Sequence, residues 1–264
     1  MRILGIIPAR YSSTRFPGKP LADINGKTMI ECVYERAKMS EKLCDVLVAT
    51  DDTRIYECVK SFGGKAVMTS SDLPNGTARC EQAVKIFTGY HDTASELPNK
   101  TTQAEKNFAG IDAIINIQGD EPLLDPLMID ETAELLRENY CVTLCSELHE
   151  DFANPNIVKV VLSRENFALY FSRSLIPFKR NKSDLPIYQH IGIYGYSVDF
   201  LRKYVLLPST PLSEAESLEQ LKILEHGYKI RVKVTDCKNE SVGVDTPEDL
   251  ERVRGIMRCR SSNM

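Results

Sequence analysis

At 264 residues and 42% hydrophobic content, the chain can bury a substantial core and fits one large α/β domain, or one domain carrying a subdomain. A net charge of −4 and a pI of about 5.7 argue against a general nucleic-acid or membrane-surface binder, which would carry a basic excess. The eight cysteines contain no CxxC pair and, with neither a signal peptide nor a long apolar run, read as reduced thiols of a cytoplasmic protein.

An apolar strand, Ile3 to Ile7, opens the chain and runs into a loop carrying Arg10, Arg15 and Lys19 among the small or hydroxyl residues Ala9, Ser12, Ser13, Thr14 and Gly18. Such a loop can turn its backbone N–H groups toward an anion while cations converge on it, as a triphosphate requires. It matches neither the GxxxxGK[ST] nor the GxGxxG phosphate motif. A solvated basic loop is the commoner meaning of such a stretch; the order of elements and the acidic strand ends further on weigh against it.

A helix follows on Met29, Ile30, Val33, Tyr34 and Ala37, then a buried strand from Asp45 to Ala49 ending at Thr50-Asp51-Asp52, which can cap the next helix. Gly63-Gly64 stops that helix, and Lys65 to Met68 supplies a short strand. Repeated β-loop-α units predict a doubly wound, Rossmann-like, mostly parallel sheet with ligands beyond the carboxyl ends of its strands.

The loop Thr69 to Arg79 leads into a helix; Gly76 can admit a planar base close to the backbone, and Arg79 faces the same sheet edge. Gly89 to Ala109 reads as a peripheral loop. The strand Ile111 to Ile117 empties into Gln118-Gly119-Asp120-Glu121-Pro122. Asp125 is well placed to cap the helix from Pro126, which leaves Asp120 available as a Mg²⁺ ligand.

From Asn154 to about residue 210 short strands predict a β-rich excursion that covers one edge of the site and offers an oligomer surface. His190 and Tyr194 share one face of a strand there. Leu212 to His226 predicts one helix with Leu218, Leu221 and Leu224 inward and Glu219 and Gln220 at its middle. Thr246 caps the last helix with Pro247 and Asp249 following, so Asp245 is a second metal-ligand candidate.

Together these segments resemble the 3-deoxy-manno-octulosonate (Kdo) cytidylyltransferases of bacterial lipopolysaccharide synthesis. The resemblance is collinear through IIPARYSSTRFPGKPL, VATDD, MTSSDLPNGTAR, NIQGDEP, NPNIVKVV, ALYFSRSLIPF, HIGIYGY, LEQLKIL and GVDTPEDLERVR. It implies a single nucleotidyltransferase domain over residues 1–264, a homodimer formed through the β-rich segment, and Mg²⁺-dependent conversion of CTP and Kdo to CMP-Kdo and pyrophosphate. It implies that Pro8, Ala9, Arg10, Ser13, Arg15 and Lys19 bind CTP, that Gly76 lies in the loop receiving cytosine, and that Arg10, Arg15, Lys19 and Asp120 serve catalysis. By the same resemblance Arg79, Gln118, His190, Tyr194, Glu219 and Gln220 bind the sugar acid, and Asp120 and Asp245 hold Mg²⁺. No nucleic acid and no membrane insertion are expected.

Two positions depart from the family pattern. Ala78 stands where a glutamate usually precedes the arginine, so that contact is absent or passes to Glu81, and residues 89–109 are longer than usual. A relative acting on 8-amino-Kdo or on sialic acid would perform the same chemistry. The sialic acid enzymes resemble this chain less, because the loop ends Pro-Gly-Lys-Pro rather than in a Lys-Asn pair. A non-catalytic nucleotide-binding module is disfavoured by the presence of both Asp120 and Asp245.

Overall fold

The apolar run that opens the chain forms strand β1 (Ile3–Ala9), hydrophobic throughout because both of its faces are covered. Leu4 and Ile6 enter one core layer and Ile3 and Ile7 the opposite one, as the two-residue period of a strand dictates. The computed structural model describes residues 1–12, 16–90, 110–237 and 242–261; Ser13 and Arg15 of the basic loop, and residues 91–109 of the loop expected over Gly89 to Ala109, lie outside the described residues.

After β1 come a small ribbon of β2 (Asp23–Ile24) and β3 (Lys27–Thr28), helix α1 (Met29–Lys38), strand β4 (Leu43–Thr50), helix α2 (Thr53–Ser61), strand β5 (Ala66–Met68) and helix α3 (Gly76–Thr88). Then follow β6 (Ala113–Asn116), α4 (Pro126–Leu135) and β7 (Cys141–Leu148). The capping chemistry matches the sequence reading: Asp52 Oδ1 accepts the N–H of Arg54 at 2.9 Å and Asp125 Oδ1 that of Leu127 at 3.0 Å. Each fully buried Ile or Leu on these strands contributes roughly 1.5–3 kcal/mol.

The later strands are β8 (Lys159–Leu162), β9 (Ala168–Ser172), β10 (Ile187–Ser197) and β11 (Arg231–Val234). Along the main sheet the order is β11-β7-β10-β6-β1-β4-β5, with β8 and β9 branching from β10. Neighbours pair in parallel except where β10 runs antiparallel between β6 and β7. The mostly parallel α/β sheet is therefore as expected. The stretch Ile187 to Tyr196, however, is a central strand of that sheet and not part of the excursion, which reduces to β8, β9 and the segment after them.

A single helix over Leu212 to His226 is not formed. Helix α5 (Val198–Leu206) is followed by two short helices, α6 (Pro211–Glu216) and α7 (Gln220–Glu225), with Ser217 between them at φ 50°. The break has a cause at the end of β9. The Glu216 carboxylate accepts from Ser172 Oγ at 2.6 Å and from the N–H of Arg173 at 2.9 Å, while Arg173 Nε donates to the Glu216 carbonyl at 2.8 Å. Leu218 and Leu221 stay in the core across the break, so the helical period survives in the sequence although the helix does not. The last element among the described residues is helix α8 (Pro247–Ser261).

Candidate active site

A cavity of about 490 Å³ opens at the carboxyl ends of β1 and β6, lined by Pro8, Ala9, Arg10, Ser12, Lys19, Pro20, Pro74, Asn75, Gly76, Gln118, Gly119, Asp120 and Glu219. The chain winds outward from β1 through β4 and β5 on one side and returns as β6 on the other. The cavity thus sits at the switch point where such sheets bind ligands.

Its first wall is the loop after β1. The N–H of Gly18 donates to the Tyr11 carbonyl at 2.9 Å. Gly18 takes φ 72°, and a Cβ there would meet the Tyr11 ring at 3.2 Å, so glycine is required by both conformation and space. The Arg54 guanidinium stacks 3.3 Å from the centre of the same ring. Arg10 reaches across the cavity mouth and donates to the Leu73 carbonyl at 2.6 Å, tying the basic loop to the loop before α3.

The second wall is the start of α3. Asn75 caps it, Oδ1 accepting the N–H of Ala78 at 2.8 Å. Gly76 packs on Pro8, where an added Cβ would stand 3.4 Å from the proline ring. Ala78 leaves no carboxylate here, and Glu81 is ion-paired with Lys85 at 2.6 Å one turn on, away from the residues that line the cavity. On the floor, Gly119 lies so close to β1 that a Cβ would fall 3.0 Å from the Pro8 carbonyl oxygen.

The acidic rim is built by chain crossing. The N–H of Val244 donates to the Asp120 carbonyl at 2.8 Å, which sets the segment before α8 beside the turn after β6. Thr246 caps α8 as expected, its Oγ1 accepting the N–H of Asp249 at 3.2 Å, while Asp249 Oδ2 takes in return the N–H groups of Thr246 at 2.9 Å and Asp245 at 3.0 Å. Lys19 Nζ then bonds Asp120 Oδ2 at 2.7 Å and Asp245 Oδ1 at 3.2 Å. One ammonium and two carboxylates from three distant parts of the chain share a single point. Among the described residues no group of three or more His, Cys, Asp or Glu side chains is gathered for a metal. Two hard carboxylate donors completed by substrate phosphate and water suit Mg²⁺, which takes few protein ligands, so the residues present fit that ion.

On the remaining side, Gln118 Nε2 donates to the Gly192 carbonyl at 3.0 Å. That carbonyl belongs to an irregularity in β10: pairing with β7 slips between Ile191 and Tyr194. Thr143 Oγ1 fills the slip, lying 2.7 Å from the Ile193 carbonyl and 3.0 Å from His190 Nε2. The His190 and Tyr194 rings stand 5.2 Å apart, the adjacency expected of them, although a bulge separates their backbones. Burial pushes the His190 pKa down to about 3, which keeps its imidazole neutral. Glu219 is open to the cavity, yet the chain crowds its carboxyl enough that burial raises its pKa, against Tyr204, Lys222 and Arg10.

The expected residues divide into two sets. Pro8, Ala9, Arg10, Lys19, Gly76, Gln118, Asp120 and Glu219 meet at the cavity, and Asp245 joins them through Lys19. Arg79, His190, Tyr194 and Gln220 do not line it. Arg79 is fully buried, ion-paired with Asp51 at 2.7 Å and bonded to Thr69, so it pins the loop before α3 to the end of β4. Tyr194 and Gln220 are buried behind the cavity. The sequence reading did not single out Asn75, although Asn directly before a glycine-led helix is itself a cap signal.

Comparison with known proteins decides the family. A sequence profile described as cytidylyltransferase matches residues 4–230. The 3-deoxy-manno-octulosonate cytidylyltransferase of Thermodesulfovibrio yellowstonii is 50% identical over 256 residues, 93% of this chain and 94% of that protein. The chain belongs to the 3-deoxy-manno-octulosonate cytidylyltransferase family. An 8-amino-3,8-dideoxy-manno-octulosonate cytidylyltransferase of Shewanella pealeana is 44% identical, covering 95% of this chain and 96% of that relative. The solved structure of a CMP:2-keto-3-deoxy-manno-octonic acid synthetase complexed with CTP superposes with a TM-score of 0.85 at 39% identity, covering 98% of this chain and 100% of the other. The family resemblance read from the sequence and the nucleotidyltransferase fold both hold.

Proposed function

We propose that this chain transfers CMP from CTP to the anomeric 2-hydroxyl of Kdo, releasing pyrophosphate, as the activating step for Kdo in lipopolysaccharide synthesis. The observation that carries the reading is the convergence of Lys19, Asp120 and Asp245 opposite Arg10 and the start of α3, in a chain 50% identical to a relative named for this reaction.

Arg10 and Lys19, with Arg15 of the same loop, take the triphosphate, and the backbone around Gly76 takes the cytosine edge. Gln118 and Glu219 hydrogen-bond the sugar. Asp120 and Asp245 hold Mg²⁺, which when bound supplies charge neutralisation at phosphate and lowers the pKa of the attacking hydroxyl. The sugar's 2-oxygen forms a bond to the α-phosphorus, the bond to the bridging oxygen of pyrophosphate breaks, and the hydroxyl proton leaves to solvent. The cations of the loop meet the charge that gathers on the leaving pyrophosphate, each worth about 2–4 kcal/mol of barrier by analogy with an oxyanion donor. Arg79, His190, Tyr194 and Gln220 act by fixing the walls that carry Gly76, Gln118 and Glu219.

The reading extends to a cytoplasmic homodimer. Phe178 is 88% exposed, and Leu169, Leu175 and Leu185 are exposed on the same β-rich segment, an apolar display that a second copy would cover. Sedimentation of wild type and Phe178→Glu tests this: the wild type runs as a dimer and the variant shifts to monomer.

The activity is tested by ³¹P NMR of purified protein with Mg²⁺, CTP and Kdo, 8-amino-Kdo or N-acetylneuraminate, with UTP and ATP in place of CTP as controls. A new phosphodiester signal with CTP and Kdo alone fits the proposal. A product only with the amino analogue or sialic acid moves the substrate assignment, and no product with any sugar rejects it.

A further inference from the structure

Tyr204 is almost fully buried, one of the largest side chains in the core, yet its hydroxyl is spent on a residue of the cavity wall. From α5 it donates to Glu219 Oε2 at 3.2 Å. A carboxylate can only accept, so the Tyr204 hydroxyl is the donor to Glu219. Burial raises the Tyr204 pKa, so the phenol stays a donor.

The ring cannot swing away. Tyr196 stacks on it with centroids 5.7 Å apart, and Lys222 Nζ stands 4.1 Å from its centre while donating to the Leu207 carbonyl at 3.2 Å. Glu219 itself stands at the N-cap of a helix of only six residues, after the break at Ser217, where a glutamate would otherwise sample several rotamers. One carboxylate oxygen is thus held by Tyr204, in a residue that lines the cavity with Gln118 and Gly76.

We propose that Tyr204 is a positioning residue for the sugar: held by the packing of its own ring, it fixes Glu219 so that the carboxylate's other oxygen accepts a hydroxyl of the bound 2-keto acid sugar. This inference rests on the sugar-transfer reading above. It assigns to the buried face of α5 a share in sugar binding that its side chain could not have by direct contact. The triphosphate half of the cavity is built from other elements, so the effect of losing the link falls on one substrate.

The test compares wild type, Tyr204→Phe, Glu219→Gln and the double variant by steady-state kinetics on the full chain. Tyr204→Phe should raise KM for the sugar about tenfold, the worth of one hydrogen bond to a charged group, with KM for CTP and kcat within about twofold. In the Glu219→Gln background the same change should add nothing further. Glu219→Asp, which draws the carboxylate away from Tyr204 while leaving every core side chain in place, should reproduce the KM rise whether or not Tyr204→Phe folds well. Unchanged sugar KM in Tyr204→Phe, an equal rise in KM for CTP, or a full additional effect on top of Glu219→Gln would each overturn the inference while leaving the reaction intact. Absence of turnover by the wild type with every sugar would overturn both.

Discussion

Lys19 Nζ lies 2.7 Å from Asp120 Oδ2, closing an ion pair between the loop after β1 and the turn after β6. The same ammonium reaches Asp245 at 3.2 Å. The family resemblance gives Lys19 to the triphosphate and both aspartates to the metal. The ammonium thus occupies the point on which both carboxylates converge.

A consequence can be measured without turnover. Lys19→Met should bind Mn²⁺, a spectroscopic stand-in for Mg²⁺, about tenfold more tightly than wild type in the absence of nucleotide, because the competing ammonium is gone. Titration followed by the paramagnetic resonance of free Mn²⁺ reads this directly. Equal or weaker binding by the variant would show that Lys19 does not compete for these carboxylates.

The buried pair Arg79–Asp51 predicts an asymmetry in stability. Arg79 is fully buried, its Nε has no hydrogen-bond partner among the described residues, and Asp51 is 19% exposed. Asp51→Ala strands a guanidinium in the core and should cost about 3 kcal/mol or more, whereas Arg79→Met replaces the charge with apolar volume and leaves Asp51 able to turn to water, at about 1 kcal/mol. Urea unfolding of both variants decides; equal losses would contradict the assignment of the penalty to the arginine.

His190 predicts a pH dependence of stability. Its folded pKa is pushed down to about 3, while in the unfolded chain it titrates near 6.5, so between those values the unfolded state holds the extra proton. Stability from this group is therefore complete above about pH 6.5 and is lost as the pH falls toward 3. Wild type should lose about 2 kcal/mol more than His190→Gln between pH 7 and pH 5, read by denaturant titration at each pH. Parallel losses in the two proteins would mean that His190 is hydrated and titrates normally.

Gly119 predicts the cost of crowding the cavity floor. A Cβ at that position would stand 3.0 Å from the Pro8 carbonyl oxygen, backbone that cannot step aside. Gly119→Ala should shift the turn carrying Gln118 and Asp120 and lower kcat/KM by about ten- to a hundredfold, in line with the cost of small misplacements of reacting groups. Wild-type kinetics in that variant would show that the turn has room to spare.

What could be read from the sequence is what local chemistry decides. The continuous apolar runs of β1, β4 and β6, the caps at Asp52 and Asp125, and the charged loops at strand ends all carry their own signals. The rest depends on distant partners. β10 becomes a central antiparallel strand only because β6 and β7 leave a place for it. The helix near residue 217 breaks because Ser172 and Arg173 claim Glu216. Arg79 taken alone reads as a surface residue and by family resemblance as a site residue, and neither reading shows that Asp51 draws it inward. Tyr204 reads as an ordinary aromatic of a helix core, because its hydroxyl partner, Glu219, lies on another element.

The most direct test of the account is pyrophosphate release from CTP and Kdo with Mg²⁺, followed continuously for wild type and Asp120→Asn. The wild type should turn over with Kdo and CTP, and Asp120→Asn should be slower by about a hundredfold or more with its fold intact. Turnover of Asp120→Asn within about threefold of wild type would remove the acidic rim from the chemistry and contradict the central claim.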